Sequence, residues 1–280
     1  MTEFAIAGIQ LDATTGDNLK AISQLVAGAK RRFPWIDMVV LGELAAKGVS
    51  VASAEPLPGP TEDFFCSLAS KQGLWVVNGS LYELYEGEVY NTTSVINPQG
   101  EVVARHRKLF PFLPYEQGVS AGDQHTVFDI EGVGRFGVSI CYDMWFPETT
   151  RALCSMGAEV ILHPTLTNTD DRDLELSIAR ASAGTNQCYF FDINSCGALG
   201  NGQSIIVGPD GEVLKQAGER QTLMTTVVDL ERVRRSRERG VLMLGQPLKS
   251  FRDSRVTYPQ YTASSSYLSS LGPLHVPEKV

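Results

Sequence analysis

Short apolar runs alternate with longer stretches in which apolar residues recur every three or four positions. Phe4–Gln10 reads as a strand. Asp17 or Asn18 can then cap a helix reaching Lys30, because Leu19, Ile22, Leu25, Val26 and Ala29 fall on one face. Met38–Leu41 is a buried strand that ends at Gly42-Glu43. Thr61 is positioned to cap a second helix that stops near Gly73, with a strand over 74–80 behind it. A hairpin of 92–97 and 101–106 follows, turning on Pro98-Gln99-Gly100.

The order then repeats: strand 136–140, helix from Pro147, strand 159–163, helix from Asp173, strand 188–194, and a hairpin of 204–207 and 212–215 around Pro209-Asp210-Gly211. Ser94-Val-Ile-Asn-Pro-Gln-Gly-Glu-Val-Val103 matches Ile205-Ile-Val-Gly-Pro-Asp-Gly-Glu-Val-Leu214 in kind, so the halves read as copies of one α/β unit. Two amphipathic helices per half are best covered by two sheets packed face to face with helices outside. The expected fold is therefore a four-layer α-β-β-α sandwich over 1–252. From about Asp253 the helical period is lost, and Ser264-Ser-Ser, tyrosines and scattered prolines take over. The tyrosines and leucines favour an arm over 253–280 laid along another surface, at an interface between subunits, over a disordered end.

Charge and composition narrow the function. The chain of 280 residues is 43 % hydrophobic, and 24 basic against 32 acidic side chains give −8. The one dense basic run, 232–239, is broken by Val233, Ser236 and Glu238. A nucleic-acid binder needs a concentrated basic face, so that class is excluded. No apolar run approaches the about 18 residues of a membrane span. The first residues lack a basic stretch before an apolar one, so no signal peptide is expected. Five cysteines without a C-x-x-C pair suggest neither a disulfide framework nor a zinc ribbon. A reducing cytoplasm is the expected location.

Candidate chemistry centres on Cys141, in Gly134-Arg-Phe-Gly-Val-Ser-Ile-Cys141-Tyr-Asp-Met-Trp-Phe-Pro-Glu148. Pro147 and Glu148 suit a first helical turn. A partly exposed thiol between a strand end and a helix start, near free N–H groups, favours a reactive thiolate. On composition alone a lone cysteine reads more readily as a buried packing residue, and the segments around Glu43 and Lys108 overturn that reading. A thiol nucleophile also needs a base, an oxyanion donor and an acid for the leaving nitrogen. His106 alternates in phase with a strand, and His125 and His275 sit in ordinary contexts; His163, before Pro164, is the partner a Cys–His pair would use. Glu43 ends a strand, Lys108 follows a hairpin, and Glu116 lies in the aromatic loop Phe112-Leu-Pro-Tyr-Glu-Gln-Gly118. Each alone also reads as a solvated charge.

Together, Glu43, Lys108 and Cys141 resemble the Glu-Lys-Cys triad of the nitrilase (carbon–nitrogen hydrolase) superfamily, in its amidase-like branch. The resemblance covers about 4–252. It is carried by Arg107-Lys-Leu-Phe-Pro111, by Cys141-Tyr-Asp-Met-Trp-Phe-Pro-Glu148 and by the hairpin Asn201-Gly-Gln-Ser-Ile-Ile-Val-Gly-Pro-Asp-Gly-Glu212. It departs at Leu41-Gly-Glu-Leu44, where the family usually has proline before the glutamate. The resemblance implies that Glu43 is the base, Cys141 the nucleophile, and Lys108 with the Tyr142 N–H the oxyanion donors. Glu116 is then an added pocket glutamate that orients substrate. No metal or organic cofactor is implied, and a homodimer or higher homo-oligomer is.

Cys141-Tyr-Asp143 resembles amide-hydrolysing members more than nitrilases. Relatives acting on dicarboxylate monoamides often carry arginine near Trp145, which tryptophan cannot replace. The implied substrate is a small neutral carboxamide, cleaved to acid and ammonia through a thioester. Tyr115, Tyr142, Trp145 and Thr167 are the expected substrate contacts. Trp145 reads equally as packing under a helix start, and Thr167 with Asn168 reads more readily as a cap for the helix from Asp173. The alternatives are an N-carbamoyl amine substrate, a nitrile substrate, a Cys–His hydrolase, or a non-catalytic scaffold.

Overall fold

The first half contains β1 (Phe4–Gln10), β2 (Asp12–Ala13), α1 (Leu19–Arg32), β3 (Met38–Leu41), α2 (Pro60–Gln72), β4 (Trp75–Val77), β5 (Leu81–Tyr85), β6 (Glu88–Ile96), β7 (Val102–Arg107) and β8 (Val119–Ser120). The second contains β9 (Thr126–Ile130), β10 (Gly134–Val138), a 3₁₀ turn over Cys141–Trp145, α3 (Pro147–Ser155), β11 (Val160–Pro164), α4 (Arg172–Asn186), β12 (Tyr189–Ile193), β13 (Cys196–Gly197), β14 (Ile205–Val207) and β15 (Val213–Gln216). Then β16 (Thr222–Val228) returns to the first sheet, followed by α5 (Leu230–Arg239), α6 (Pro247–Asp253), α7 (Pro259–Thr262) and α8 (Ser266–Ser270). This computed structural model describes residues 3–113, 115–262 and 266–274.

One sheet runs β16-β1-β3-β4-β6, with β5, β7 and β8 also paired to β6; the other runs β9-β10-β11-β12-β14-β15. In both, an antiparallel edge strand precedes three parallel strands and an antiparallel hairpin. Parallel strands are covered on both faces, which is why their sequences are continuous apolar runs. Phe4, Ile6, Met38 and Val40 from the first sheet meet Phe136, Val138, Leu162 and Phe191 from the second in the central layer. The outer face of the first sheet packs on Ile22, Val26, Phe65 and Leu68 of α1 and α2. The outer face of the second packs on Leu153, Leu176, Ala179 and Ala183 of α3 and α4. This is the expected four-layer sandwich of two similar halves.

The two hairpins read as copies close identically. Asn97 N–H donates to Glu101 O and Gly100 N–H to Asn97 O; Gly208 N–H donates to Glu212 O and Gly211 N–H to Gly208 O. Gly100 and Gly211 hold φ of 84° and 80°, a region that disfavours a side chain.

Several boundaries differ from expectation. Thr61 is not the cap of α2: Gly59 precedes the helix and Pro60 opens it, because a fixed φ suits the first helical position. Thr61 instead gives its N–H and hydroxyl to the Glu55 carboxylate. Asp17 Oδ1 accepts from Leu19 N–H at the start of α1, which runs two residues past Lys30. The strand over 74–80 contracts to β4, and the chain after it turns through Gly79 into β5. The tail is not devoid of helix. Phe251 of α6 packs under the Arg151 guanidinium, Tyr258 and Tyr261 continue the aromatic row, and Tyr261 Oη donates to Glu148 Oε1 at 2.7 Å. The start of the expected arm thus lies against α3 of its own chain. Ser264 and His275 fall outside the described residues.

Candidate active site

Glu43 leaves the end of β3 at a corner with little room. A Cβ on Gly42 would come within 2.9 Å of Ser195 Oγ, and one on Gly79 within 1.9 Å of Gly42 O. This crowding accounts for glycine before the glutamate. The backbone is tied to both sheets: Glu43 N–H donates to Thr165 O at 3.0 Å, and Leu44 N–H to Ser80 Oγ at 3.0 Å. The carboxylate, 2 % exposed, is not a solvated loop charge.

Lys108 follows β7 and is 1 % exposed. Its ammonium donates to Glu43 Oε1 at 2.7 Å and to Glu116 Oε2 at 2.6 Å. Glu116 Oε2 also accepts the Phe112 N–H at 2.7 Å, which folds the aromatic loop back over the site. Asn91, on β6, donates through Nδ2 to Glu43 Oε1 and to Glu116 Oε1, both at 2.7 Å. Burying a cation between two carboxylates that also accept from Asn91 offsets much of the desolvation that an unpaired charge would suffer.

Cys141 begins the 3₁₀ turn with φ of 46°, a left-handed conformation uncommon for a side chain with a Cβ. The Tyr142 N–H lies in the first turn, where intrahelical acceptors are missing. Asp143 fixes this corner. Its Oδ2 accepts from Ile140 N–H at 2.9 Å and lies 3.2 Å from His106 Nε2, while Oδ1 accepts from Leu109 and Phe110 N–H, each at 2.9 Å. One carboxylate thereby joins the segment after Lys108 to the turn that carries the thiol.

Glu43, Lys108, Glu116 and Cys141 line one cavity of about 290 Å³, with Tyr115, Tyr142, Trp145 and Thr167 in its walls. All eight residues expected from the sequence therefore come together. Phe112, Tyr142 and Trp145 form an aromatic side, with ring centroids 5.0 and 6.0 Å apart along the row. Thr167 does not cap α4, which Asp171 precedes; its hydroxyl donates to Glu175 Oε2 at 2.7 Å. Trp145 Nε1 donates to Glu175 Oε1 at 3.4 Å, so the indole is both wall and packing. Among the described residues lining the cavity, Lys108 is the only one with a cationic side chain, against Glu43, Glu116, Asp171 and Glu175. Among the described residues no group of three or more His, Cys, Asp or Glu is disposed to hold a metal ion.

One expectation is corrected and one alternative loses its support. The Cys141 thiol is not partly exposed: the residue is 6 % exposed, and burial followed by the nearby Glu43 charge pushes its proton affinity well up, with Lys108 opposing. The resting group is a thiol that needs a base. His163 is not that base. It does not line the cavity, it hydrogen-bonds Ser139 Oγ at 2.8 Å, and burial drops its pKa to about 3.

Glu43 meets the need. Burial, opposed by the Lys108 charge and reinforced by Glu116, raises its pKa to about 7. The Cys141 thiol shares its cavity and rests against Leu166 O, 3.9 Å away. Burial works against the Lys108 charge, but Glu43, Cys141 and Glu116 outweigh it and hold the ammonium well above its ordinary value. A carboxyl of raised proton affinity, a permanent cation and a thiol thus share one cavity, groups of the kind acyl transfer requires. Asn91 and Asp143 are not among the site residues expected from the sequence; Tyr90-Asn91 carries no local signal, and Asp143 enters only as part of the Cys141-Tyr-Asp143 motif, without a role of its own.

Residues 4–238 match the family described as carbon-nitrogen hydrolase. The chain is 28% identical over 260 residues to the omega-amidase NIT2 of Mus musculus, covering 85% of this chain and 93% of that protein. Among solved structures it resembles Nit3 of Saccharomyces cerevisiae, a nitrilase-superfamily member, with TM-score 0.78 at 28% identity, covering 84% and 93% of the two chains. An amidase from Nesterenkonia sp. superposes with TM-score 0.73 at 25% identity, covering 82% and 92%. With its four-layer fold and the length of the family match, this chain belongs to the carbon-nitrogen hydrolase family of the nitrilase superfamily, enzymes that cleave a carbon–nitrogen bond with water.

Proposed function

We propose that the chain is a cysteine-dependent amidase that converts a small neutral carboxamide to acid and ammonia through a thioester. The convergence of Glu43, Lys108, Glu116 and Cys141 on one cavity carries this conclusion. Glu43 takes the thiol proton as Cys141 Sγ bonds to the amide carbon, and the oxygen becomes an anion facing Lys108 Nζ and the Tyr142 N–H. Glu43 then gives its proton to nitrogen as the C–N bond breaks, and ammonia leaves. Next it draws a proton from water, the hydroxide oxygen adds to the thioester, and the C–S bond breaks with return of the proton to sulfur. Glu116 holds Lys108 and faces the substrate nitrogen.

Charge favours neutral substrates. A distal carboxylate would meet Asp171 and Glu175 in the wall, and Arg172 behind Glu175 is already bound to it at 3.1 Å and to Asp192 at 2.9 Å. Trp145 stands where a pairing cation would be useful. The enzyme works in the cytoplasm as a homodimer or larger homo-oligomer, joined in part by the 253–280 arm; Leu242, Met243 and Leu244, exposed by 69%, 74% and 79%, offer apolar surface for it. Among the described residues no helix is long and apolar enough to cross a membrane.

The test is ammonia release from propionamide, benzamide, glutaramate, a carbamoyl amine and a simple nitrile. Propionamide or benzamide should be fastest. Faster turnover of glutaramate would refute the neutral pocket, and silence on every amide would refute the amidase.

A further inference from the structure

The Asn91 side chain is bonded at one end only. Its Nδ2 reaches Glu43 Oε1 and Glu116 Oε1 at 2.7 Å each, while its Oδ1 is buried without a partner among the described residues. The orientation follows from chemistry, because a flipped amide would aim its carbonyl oxygen at two carboxylates. Burying a bare carbonyl is unfavourable, and an apolar side chain of the same size would avoid it. The amide therefore has a use that offsets that loss, and the only bonds it makes are to the two acids.

We infer that Asn91 is a positioning residue that clamps Glu43 and Glu116 side by side on Lys108, so that Glu43 presents its free oxygen to the Cys141 proton. The geometry is consistent throughout. Glu43 Oε1 takes both the Lys108 and the Asn91 bonds, which leaves its other oxygen for Cys141, a residue of the same cavity wall. Asn91 is itself anchored to the lysine segment, since Lys108 N–H donates to Asn91 O at 2.8 Å. The groups facing Glu43 are Lys108, Glu116, Cys141 and the Tyr82 phenol, and Glu175 faces the thiol from α4. Of these only Lys108 is cationic, so without Asn91 the Glu43 anion loses one of its two strong donors. It becomes harder to ionise.

The role rests on the amidase proposed above, and two assays keep them apart. One is kcat/KM for propionamide against pH; the other is the rate of iodoacetamide alkylation at Cys141 against pH, followed by peptide mass. Both are run on the wild type, Asn91→Leu and Asn91→Ser, the smaller serine serving should the leucine variant not fold. The acid limb should move up by about one unit in both assays, so that at a fixed pH below it each rate falls about tenfold, with KM little changed. Variants that melt earlier yet keep the wild-type limb in both assays would overturn the clamp and leave Asn91 a packing residue. A wild type silent on propionamide whose alkylation limb still shifts with Asn91 would overturn the amidase alone.

Discussion

Two cations lie buried between pairs of carboxylates in this molecule, and only one of the two groups opens fully on a cavity. Lys108 sits between Glu43 and Glu116; Arg172 sits between Glu175 and Asp192. Both arrangements raise one carboxyl to about 7 by burial: Glu43 in the first, Asp192 in the second. They differ in what lies beside them. The lysine cluster faces a thiol and open space, whereas Arg172 gives its Nη2 to Gln203 O and, like Asp192, stays behind the wall that Glu175 forms. A displaced proton affinity is thus a poor marker of catalysis by itself. Reach to a thiol and room for a reacting carbonyl separate the cluster proposed to do chemistry from the other one.

The contrast can be broken or sharpened by substitution. The largest effect is expected at the sulfur: Cys141→Ala should lower kcat at least about a thousandfold, and steady-state turnover near the wild-type rate would remove the nucleophile from the proposal. Exchanging the cations comes next. Lys108→Met should lower kcat/KM by about 10²–10³, since the oxyanion loses its charged donor. Arg172→Met should instead cost about 3–5 kcal/mol of stability by stranding buried carboxylates. Denaturant unfolding with kinetics per folded molecule tells these apart, and equal kinetic losses would erase the distinction.

The smallest effect is in the response to pH. Under the proposed mechanism Glu43 acts as base when ionised, so kcat/KM should rise with pH and level off above about 7. Asp192 is raised from 3.8 to about 7, so the folded chain keeps a proton that the unfolded chain releases. Its contribution to stability is full below 3.8 and is lost as pH rises through about 7. Asp192→Asn should flatten that decline in melting temperature against pH and leave the kinetic limb in place. A limb that moves with Asp192 would mean that the two clusters titrate together.

The parts of the fold visible beforehand were those with strong local signals. Phe4–Gln10 and Met38–Leu41 are wholly buried apolar runs, and the two Pro-x-Gly turns announce their hairpins. The edge strands β5, β9 and β16 carry weaker signals and lie outside the elements expected from the sequence. β16 mixes threonines with apolar residues and leaves Val227 half-exposed, and β5 ends in exposed residues before Glu86-Gly87. The site was legible as residue types at strand ends, but not as an environment. That Cys141 is covered follows from the 112–116 loop and from 166–167, neither of which adjoins it in sequence. Asn91 meets Glu43 across 48 residues, a convergence that no local pattern encodes.

Asp143 carries one consequence further. Three of the four groups it holds come from the first half of the chain and one from its own turn. That side chain therefore helps set the distance between the Lys108 cation and the Tyr142 amide across the seam of the sandwich, together with the Phe110–Phe146 and Phe112–Tyr142 ring contacts. Halves produced as separate polypeptides would each lack an anion cradle, and hydrolytic power would emerge only on their reunion.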